Sequence, residues 1–318
     1  MKRKRLFLSL LSVMAILLAS IVGYGQNDEF TLKKVKDNLY LIGDSVNGNV
    51  SFLVTEEGVL CVDAKSYPYQ GEKVVEMIRR VTDKPIKYLV YTHGHSDHIQ
   101  GAQSFPPSTI VIAHQKTLEL MQKDGAARIE RERKVEFPRQ LKALEDKVET
   151  LKDEGVPEWK EAERTLEFRR FQIKDHDRLD LIFPDLTFDD RVEVHLGGHR
   201  IELTYLGSGH TEGDIVVYFL EEKVIHTGDL FGYPGEEEER VKILDVKNRL
   251  EKMEPAQIKA MAQSIENVAG ILEKILDMDF EIAIPGHGKI SDKKGMLIQK
   301  EFTKRLAKEI LAGAEKRS

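Results

Sequence analysis

The stretch IKYLVYTHGHSDHIQG, residues 86–101, decides how this chain is read. Its first half is an apolar run of strand length, and its second half crowds His93, His95, Asp97 and His98 into six positions. Imidazole and carboxylate are metal donors. An extended loop projects residues two apart to the same side, so His93 and His95 can share one ion. Asp97 and His98 lie past the bend and can face a second. A helical H-E-x-x-H site would instead space its histidines by one turn, and that motif is absent.

Three later turns give this loop its company. GSGHTEGD, residues 207–214, places His210 behind the strand-like IELTYL. VIHTGDLF, residues 224–231, places Asp229 behind KVI, and AIPGHGK, residues 283–289, places His287 behind EIAI. Each ligand type follows a strand on a glycine-bearing turn, and strand ends are where sites are built in such sheets. Seven donors exceed one tetrahedral zinc. Divided between two ions with Asp229 bridging, they give each ion four contacts. With no thiolate among them they suit zinc, iron or manganese. Asp63, ending VLCVDA, is a candidate acceptor for the ring N–H of a ligand histidine, with an ordinary strand-end aspartate as the alternative. His114, His176, His195, His199 and His226 have no such neighbours and read as structural or surface residues, and Thr211 reads as a turn-stabilising one.

The 318 residues, 41% hydrophobic and 32% charged, suffice for one large domain or two small ones. Lys2, Arg3, Lys4 and Arg5 precede an apolar run from Leu6 to Val22, with Gly23 and Gly25 following. This is the pattern of an export signal over residues 1–25, leaving a mature domain over 26–318 and a periplasmic or secreted product. An uncleaved N-terminal membrane anchor is the alternative. No cysteine lies near the end of the run, which excludes a lipid-anchored lipoprotein. Removing that segment's four positive charges takes the formal net charge from −6 to −10, which disfavours nucleic acid as a partner. Cys61 is the only cysteine; it lies in an apolar run and reads as an inert core residue.

Strand-like text fills residues 30–63, a helical pattern covers 71–82, and IKYLVYT and STIVIAH add two strands. This alternation predicts an α/β domain. Residues 116–177 interrupt it with two helical stretches around the turn Gly155-Val156-Pro157. Leu141, Leu144, Val148 and Leu151, then Trp159, Ala162, Leu166 and Phe171, carry a helical apolar pattern. The expectation is a solvated hairpin insertion with one apolar seam, with a homo-oligomer contact as its other possible use. Strands then return, and helices are expected over 255–277 and 291–314. The acidic run Glu236 to Glu239 reads as a solvated loop.

HGHSDH resembles the H-x-H-x-D-H signature of the metallo-β-lactamase superfamily. GSGHTEGD, HTGD and PGHG resemble its later motifs in the same order. The resemblance covers about residues 30–300 apart from the insertion. It implies a four-layer αββα sandwich with a dinuclear metal centre at one edge, and the helical hairpin insertion read above interrupts it. It assigns His93, His95 and His210 to the first metal, and Asp97, His98 and His287 to the second, with Asp229 bridging. Many β-lactamases of this superfamily carry cysteine or serine where Asp229 stands, so the chain looks more like the glyoxalase II-like and lactonase-like branches. Flavin-linked diiron relatives have glutamate at the position of His95, which argues against an oxygen- or nitric oxide-reducing role.

A hydrolase follows as the expectation, using two zinc ions to activate water and Asp97 to orient it. No G-x-S-x-G nucleophile motif is present, which fits direct attack by water. A small ester, thioester, lactone or lactam is the expected substrate class. The alternatives are a β-lactamase proper, a phosphodiesterase or sulfatase on the same centre, or a metal-free binding protein on the same fold.

Overall fold

The computed structural model describes residues 30–43, 47–232 and 253–315. The expected export signal and the acidic run Glu236 to Glu239 lie outside the described residues. The chain divides into two compact units: one runs to residue 189 and includes 195–199, and the other comprises 190–194 with the chain from 200 onward. Among the described residues, no helix is long and apolar enough to cross a membrane.

The first unit is built on a seven-stranded sheet in chain order. Strands β1 (Thr31–Lys34), β2 (Leu39–Gly43), β3 (Val50–Val54) and β4 (Val59–Val62) form an antiparallel meander. Strands β5 (Ile86–Val90), β6 (Ile110–His114) and β7 (Leu186–Phe188) continue the sheet in parallel with β4. Parallel neighbours need crossovers. Helix α1 (Pro68–Val81) supplies the first, burying Val74 and Ile78 among Cys61, Leu89 and Ile99. The helix starts three residues earlier than its apolar spacing suggests. Pro68 occupies the first turn, where a missing N–H costs nothing, while the amides of Gln70 and Gly71 bond to Tyr67 O. Gly71 lets this helix sit flush on the turn after the histidine loop: a Cβ there would meet Gly101 O at 2.0 Å.

The crossover from β6 to β7 is the helical insertion. It runs through α3 (Gln115–Arg131), a π-helical turn (Glu132–Glu136), α4 (Phe137–Asp153) and α5 (Trp159–His176); the short helix α2 (Ser96–Ile99), which carries Asp97 and His98, lies earlier, between β5 and β6. The expected turn sits between α4 and α5, with Gly155 at φ +69°. Val148, Ala162 and Leu166 form the seam, flanked by Leu141, Leu144 and Leu151. Phe171 departs from the expectation: it is 49% exposed and lies edge-on to Tyr69 rather than in the seam. The pair is also not solvated throughout, because α5 buries Arg169, Gln172, Asp175 and His176. These polar groups find partners instead of water; for example, Asp175 Oδ2 accepts the Tyr69 amide at 2.9 Å.

The second unit carries a five-stranded sheet in the order β12-β11-β10-β9-β8. Strands β8 (Arg191–Leu196), β9 (His199–Tyr205), β10 (Ile215–Phe219) and β11 (Val224–His226) follow one another, and β9, β10 and β11 pair antiparallel. Helix α6 (Pro255–Leu276) precedes β12 (Ile282–Ile284), which pairs parallel with β11. Val268, Ile271, Leu272 and Ile275 of α6 pack on Ile225 and Ala283. Helix α7 (Lys293–Glu315) closes the chain, packing Ala307 and Ile310 on Ile258, Ala262 and Ile265.

Candidate metal centre

Each unit holds one set of donors, built around the C-terminal ends of a parallel strand pair, with His210 joining the second set from the turn after β9. In the first unit β4 lies beside β5 with Val62 opposite Val90, so the residues leaving both C-terminal ends meet. Asp63 leaves β4 at φ +65°, a left-handed backbone that aspartate tolerates better than most residues. Its Oδ1 accepts the Thr92 amide at 2.8 Å, and its Oδ2 accepts the Thr92 hydroxyl at 2.8 Å. Oδ2 also lies 2.7 Å from His98 Nδ1.

These bonds set two histidine tautomers. A carboxylate only accepts, so His98 carries its proton on Nδ1 and presents Nε2 as the basic nitrogen. That nitrogen stands 3.6 Å from Asp97 Oδ2. The Thr92 hydroxyl has spent its one proton on Asp63, so it accepts from His93 Nδ1, 3.1 Å away. His93 Nε2 is then the basic nitrogen, and it lies 3.0 Å from His95 Nδ1. His93 and His98 are fully buried, while the Asp97 side chain is partly open to solvent.

In the second unit β11 lies beside β12 with His226 opposite Ile284, and Asp229 and His287 leave their C-terminal ends. The Gly286 amide bonds to Gly228 O at 2.7 Å. This close approach demands glycine, since a Cβ on Gly286 would meet Asp229 Oδ1 at 2.0 Å and the Gly228 carbonyl carbon at 2.6 Å. The two carboxylate oxygens of Asp229 face different imidazoles: Oδ2 is 3.2 Å from His210 Nε2, and Oδ1 is 3.4 Å from His287 Nε2. His210 is fully buried, and the His287 side chain is a quarter exposed.

Asp214 steadies the His210 turn, and sequence reasoning missed it. Its carboxylate accepts the Thr211 amide at 2.6 Å and the Thr211 hydroxyl at 2.8 Å. Burial pushes the Asp214 carboxyl above its ordinary value, opposed by His210 and the bonds from Thr211. The signal was available in the T-x-x-D spacing within GHTEGD, where a short acceptor can fold back on the turn.

The structure therefore gathers His93 with His95, and Asp97 with His98 and Asp63, in the first unit. It gathers His210 and His287 on Asp229 in the second. His114 lies elsewhere, with Nε2 2.6 Å from Asp189 O, and burial pushes the Cys61 thiol well up, as befits a core residue. The donor sets fit a divalent transition ion. Imidazole nitrogens cluster in each set, a carboxylate holds the far side of one ring, and another carboxylate opens one oxygen to each of two histidines.

A family model described as the metallo-beta-lactamase superfamily matches residues 43–287. A type 2 metallo-beta-lactamase from Bacillus sp. (strain 170) is 24% identical over 261 residues, 81% of this chain and 73% of that protein. A linear primary-alkylsulfatase from Pseudomonas sp. (strain ATCC 19151) is 47% identical over 49 residues. That match spans 15% of this chain and only 9% of the sulfatase. Among solved structures, a metallo-beta-lactamase from Pontibacter korlensis aligns with a TM-score of 0.55 at 14% identity, covering 88% of this chain and 99% of that one. This likeness shows the fold, an α/β sandwich of two sheets with helices. The chain belongs to the metallo-beta-lactamase superfamily and is a hydrolase of that group.

Proposed function

We propose that the two donor sets hold a dinuclear zinc centre and that the chain is an exported hydrolase of a small ester, thioester, lactone or lactam. His93, His95 and His210 take the first ion, Asp97, His98 and His287 take the second, and Asp229 bridges. The observation that carries this reading is Asp229 itself. A carboxylate serving a single ion or a single salt bridge has no reason to present each oxygen to a different buried or half-buried imidazole. Iron or manganese is compatible with the same donors.

Ions held by these residues would supply Lewis acidity, making water more acidic and polarising the oxygen of the substrate's electrophilic centre. The chain's own residues do the rest. Asp63, through Thr92 and directly, keeps His93 and His98 in the tautomers that ligate. Asp97, the most open of the acidic donors, would orient the attacking water while holding the second ion. Asp229 contributes the negative charge that offsets two dications. A second reading, sulfate-ester cleavage at the same centre, is favoured by the 47% identity to part of an alkylsulfatase. Export rests on the N-terminal pattern of residues 1–25, and mass spectrometry of protein from a secreting host should find Gln26 or a near neighbour first. Intact Met1-containing chains in the membrane fraction would instead establish the anchor.

The deciding experiment compares wild-type protein with Asp229→Asn. Wild type should bind two zinc ions and turn over one class within a panel of ester, thioester, lactone, β-lactam, phosphodiester and sulfate-ester substrates. The amide has one coordinating oxygen and no charge, so Asp229→Asn should lose an ion and turnover by on the order of 10²-fold, with circular dichroism unchanged. Normal zinc content and turnover in this variant would remove the bridge.

A further inference from the structure

We propose that the helical crossover between β6 and β7 is a brace for the histidine loop, with Glu132 and Arg128 as positioning residues for the metal centre. The inference rests on the reading of that loop as a ligand loop and adds residues outside the family's motifs. Arg128, on α3, donates from Nη1 to Gly94 O at 2.7 Å. Gly94 is the residue between His93 and His95, so this bond grips the backbone that spaces the two rings.

Glu132 lies four residues on, one helical turn along the same face. Its Oε1 accepts the Ser96 hydroxyl at 2.7 Å, and its Oε2 accepts the Gln100 side-chain amide at 3.1 Å. Ser96 and Gln100 stand on either side of Asp97 and His98, so one carboxylate holds both ends of the short helix that bears them. Oε2 also lies 3.0 Å from His176 Nε2, at the end of α5, and Arg133 Nη2 donates to His176 O at 2.6 Å. Both arms of the insertion thus converge on the carboxylate that grips the loop. The Glu132 side chain is only 12% exposed. Burial raises its carboxyl, but the bonds from His176, Ser96 and Gln100 prevail and hold it below the ordinary value, so it remains an acceptor for all three.

The π-helical turn has a use here. The Phe137 amide bonds to Glu132 O, an i to i+5 bond, so five residues close one turn. In an unbroken α-helix residues five apart point about 140° away from each other. The wider turn lets Phe137 share the face of Glu132, and its ring packs edge-on to His176 at 4.8 Å. A hairpin that merely filled a crossover would need neither the extra residue nor three side-chain bonds from Arg128 and Glu132 to one loop.

The test uses full-length mature protein, with Glu132→Ala, Glu132→Gln and Arg128→Met beside wild type. Two quantities are read: hydrogen exchange of the peptide covering 92–100 in zinc-free protein, and zinc affinity by chelator competition. Glu132→Ala should speed exchange in that peptide at least tenfold and weaken zinc binding by about 10–100-fold, with helix content retained. Glu132→Gln keeps one acceptor oxygen and should fall between, and Arg128→Met should show a smaller loss of both. Should Glu132→Ala fail to fold, the other two variants decide. Folded variants with wild-type exchange and affinity would overturn the brace. If wild type binds no zinc, the ligand reading fails, and the exchange data still judge the brace.

Discussion

The two donor sets are held by opposite means. Residues 93–98 put their donors on one short loop, with no strand of its own behind each ring, and side chains from distant parts of the chain hold it in place. Asp63 reaches from 35 positions before His98, and Glu132 from 36 positions beyond Ser96. His210, Asp229 and His287 come from three separate turns, and each inherits its place from the strand before it. There the backbone does most of the positioning, through the β11–β12 register and the contact of Gly286 with Gly228. Side-chain support is added locally, by Asp214 on the His210 turn. A contiguous ligand loop therefore depends on hydrogen-bonding partners, and a dispersed set depends on close backbone approach. Substitutions at the two kinds of support should fail differently.

The larger effect is expected where the backbone has no room to give. Gly286→Ala puts a methyl group against Asp229 Oδ1, and against the Gly228 carbonyl carbon and the Asp229 amide nitrogen, backbone atoms that cannot rotate away. The β12 turn or Asp229 must move, and the facing of Oδ1 to His287 at 3.4 Å goes with it. Zinc analysis should find the second ion lost, with turnover down by on the order of 10²-fold. Melting temperature of the zinc-free protein should fall by only a few degrees, since overpacking of this size costs about 1–3 kcal/mol. Unchanged zinc content would show that the dispersed set does not rely on this approach.

The same contrast explains what could be read in advance. Strand-length apolar runs before each donor turn are local signals, as are the glycines that let the turns bend, so the donors and their loops are visible in the letters alone. The helices over 255–276 and 293–315 follow from apolar periodicity in the same way. Glu132 and Arg128 carry no such signal. They sit in a charged helical tract that resembles a solvated face, and their role depends on which way a π-helical turn rotates the helix. Phe171 misleads because helical spacing within its own helix does not show that α5 docks on Tyr69. Asp63 lies between these cases: its strand-end position made it a candidate acceptor for a ligand histidine beside the reading as an ordinary aspartate, and only the parallel pairing of β4 with β5 brings it to His98.

Asp63 allows the finest break of the comparison, because two substitutions separate charge from shape. Asp63→Ala leaves the Thr92 amide, the Thr92 hydroxyl and His98 Nδ1–H without their buried acceptor, and it places alanine at φ +65°. A loss of about 2–4 kcal/mol in stability is expected, together with a 10–100-fold fall in zinc affinity as the two tautomers lose their anchor. Asp63→Asn keeps the volume and tolerates the left-handed backbone. Its single carbonyl oxygen can serve either the Thr92 amide or the Oδ2 pair of donors, but not both, and its NH2 has no acceptor at the vacated position. The asparagine variant should therefore lose about half as much stability, yet still bind zinc more weakly than wild type. Chemical denaturation of the zinc-free proteins and chelator competition separate the two quantities. If Asp63→Asn matched wild type in both, hydrogen bonding to Thr92 and His98 would be incidental, and the first donor set would be held by backbone packing just as the second is.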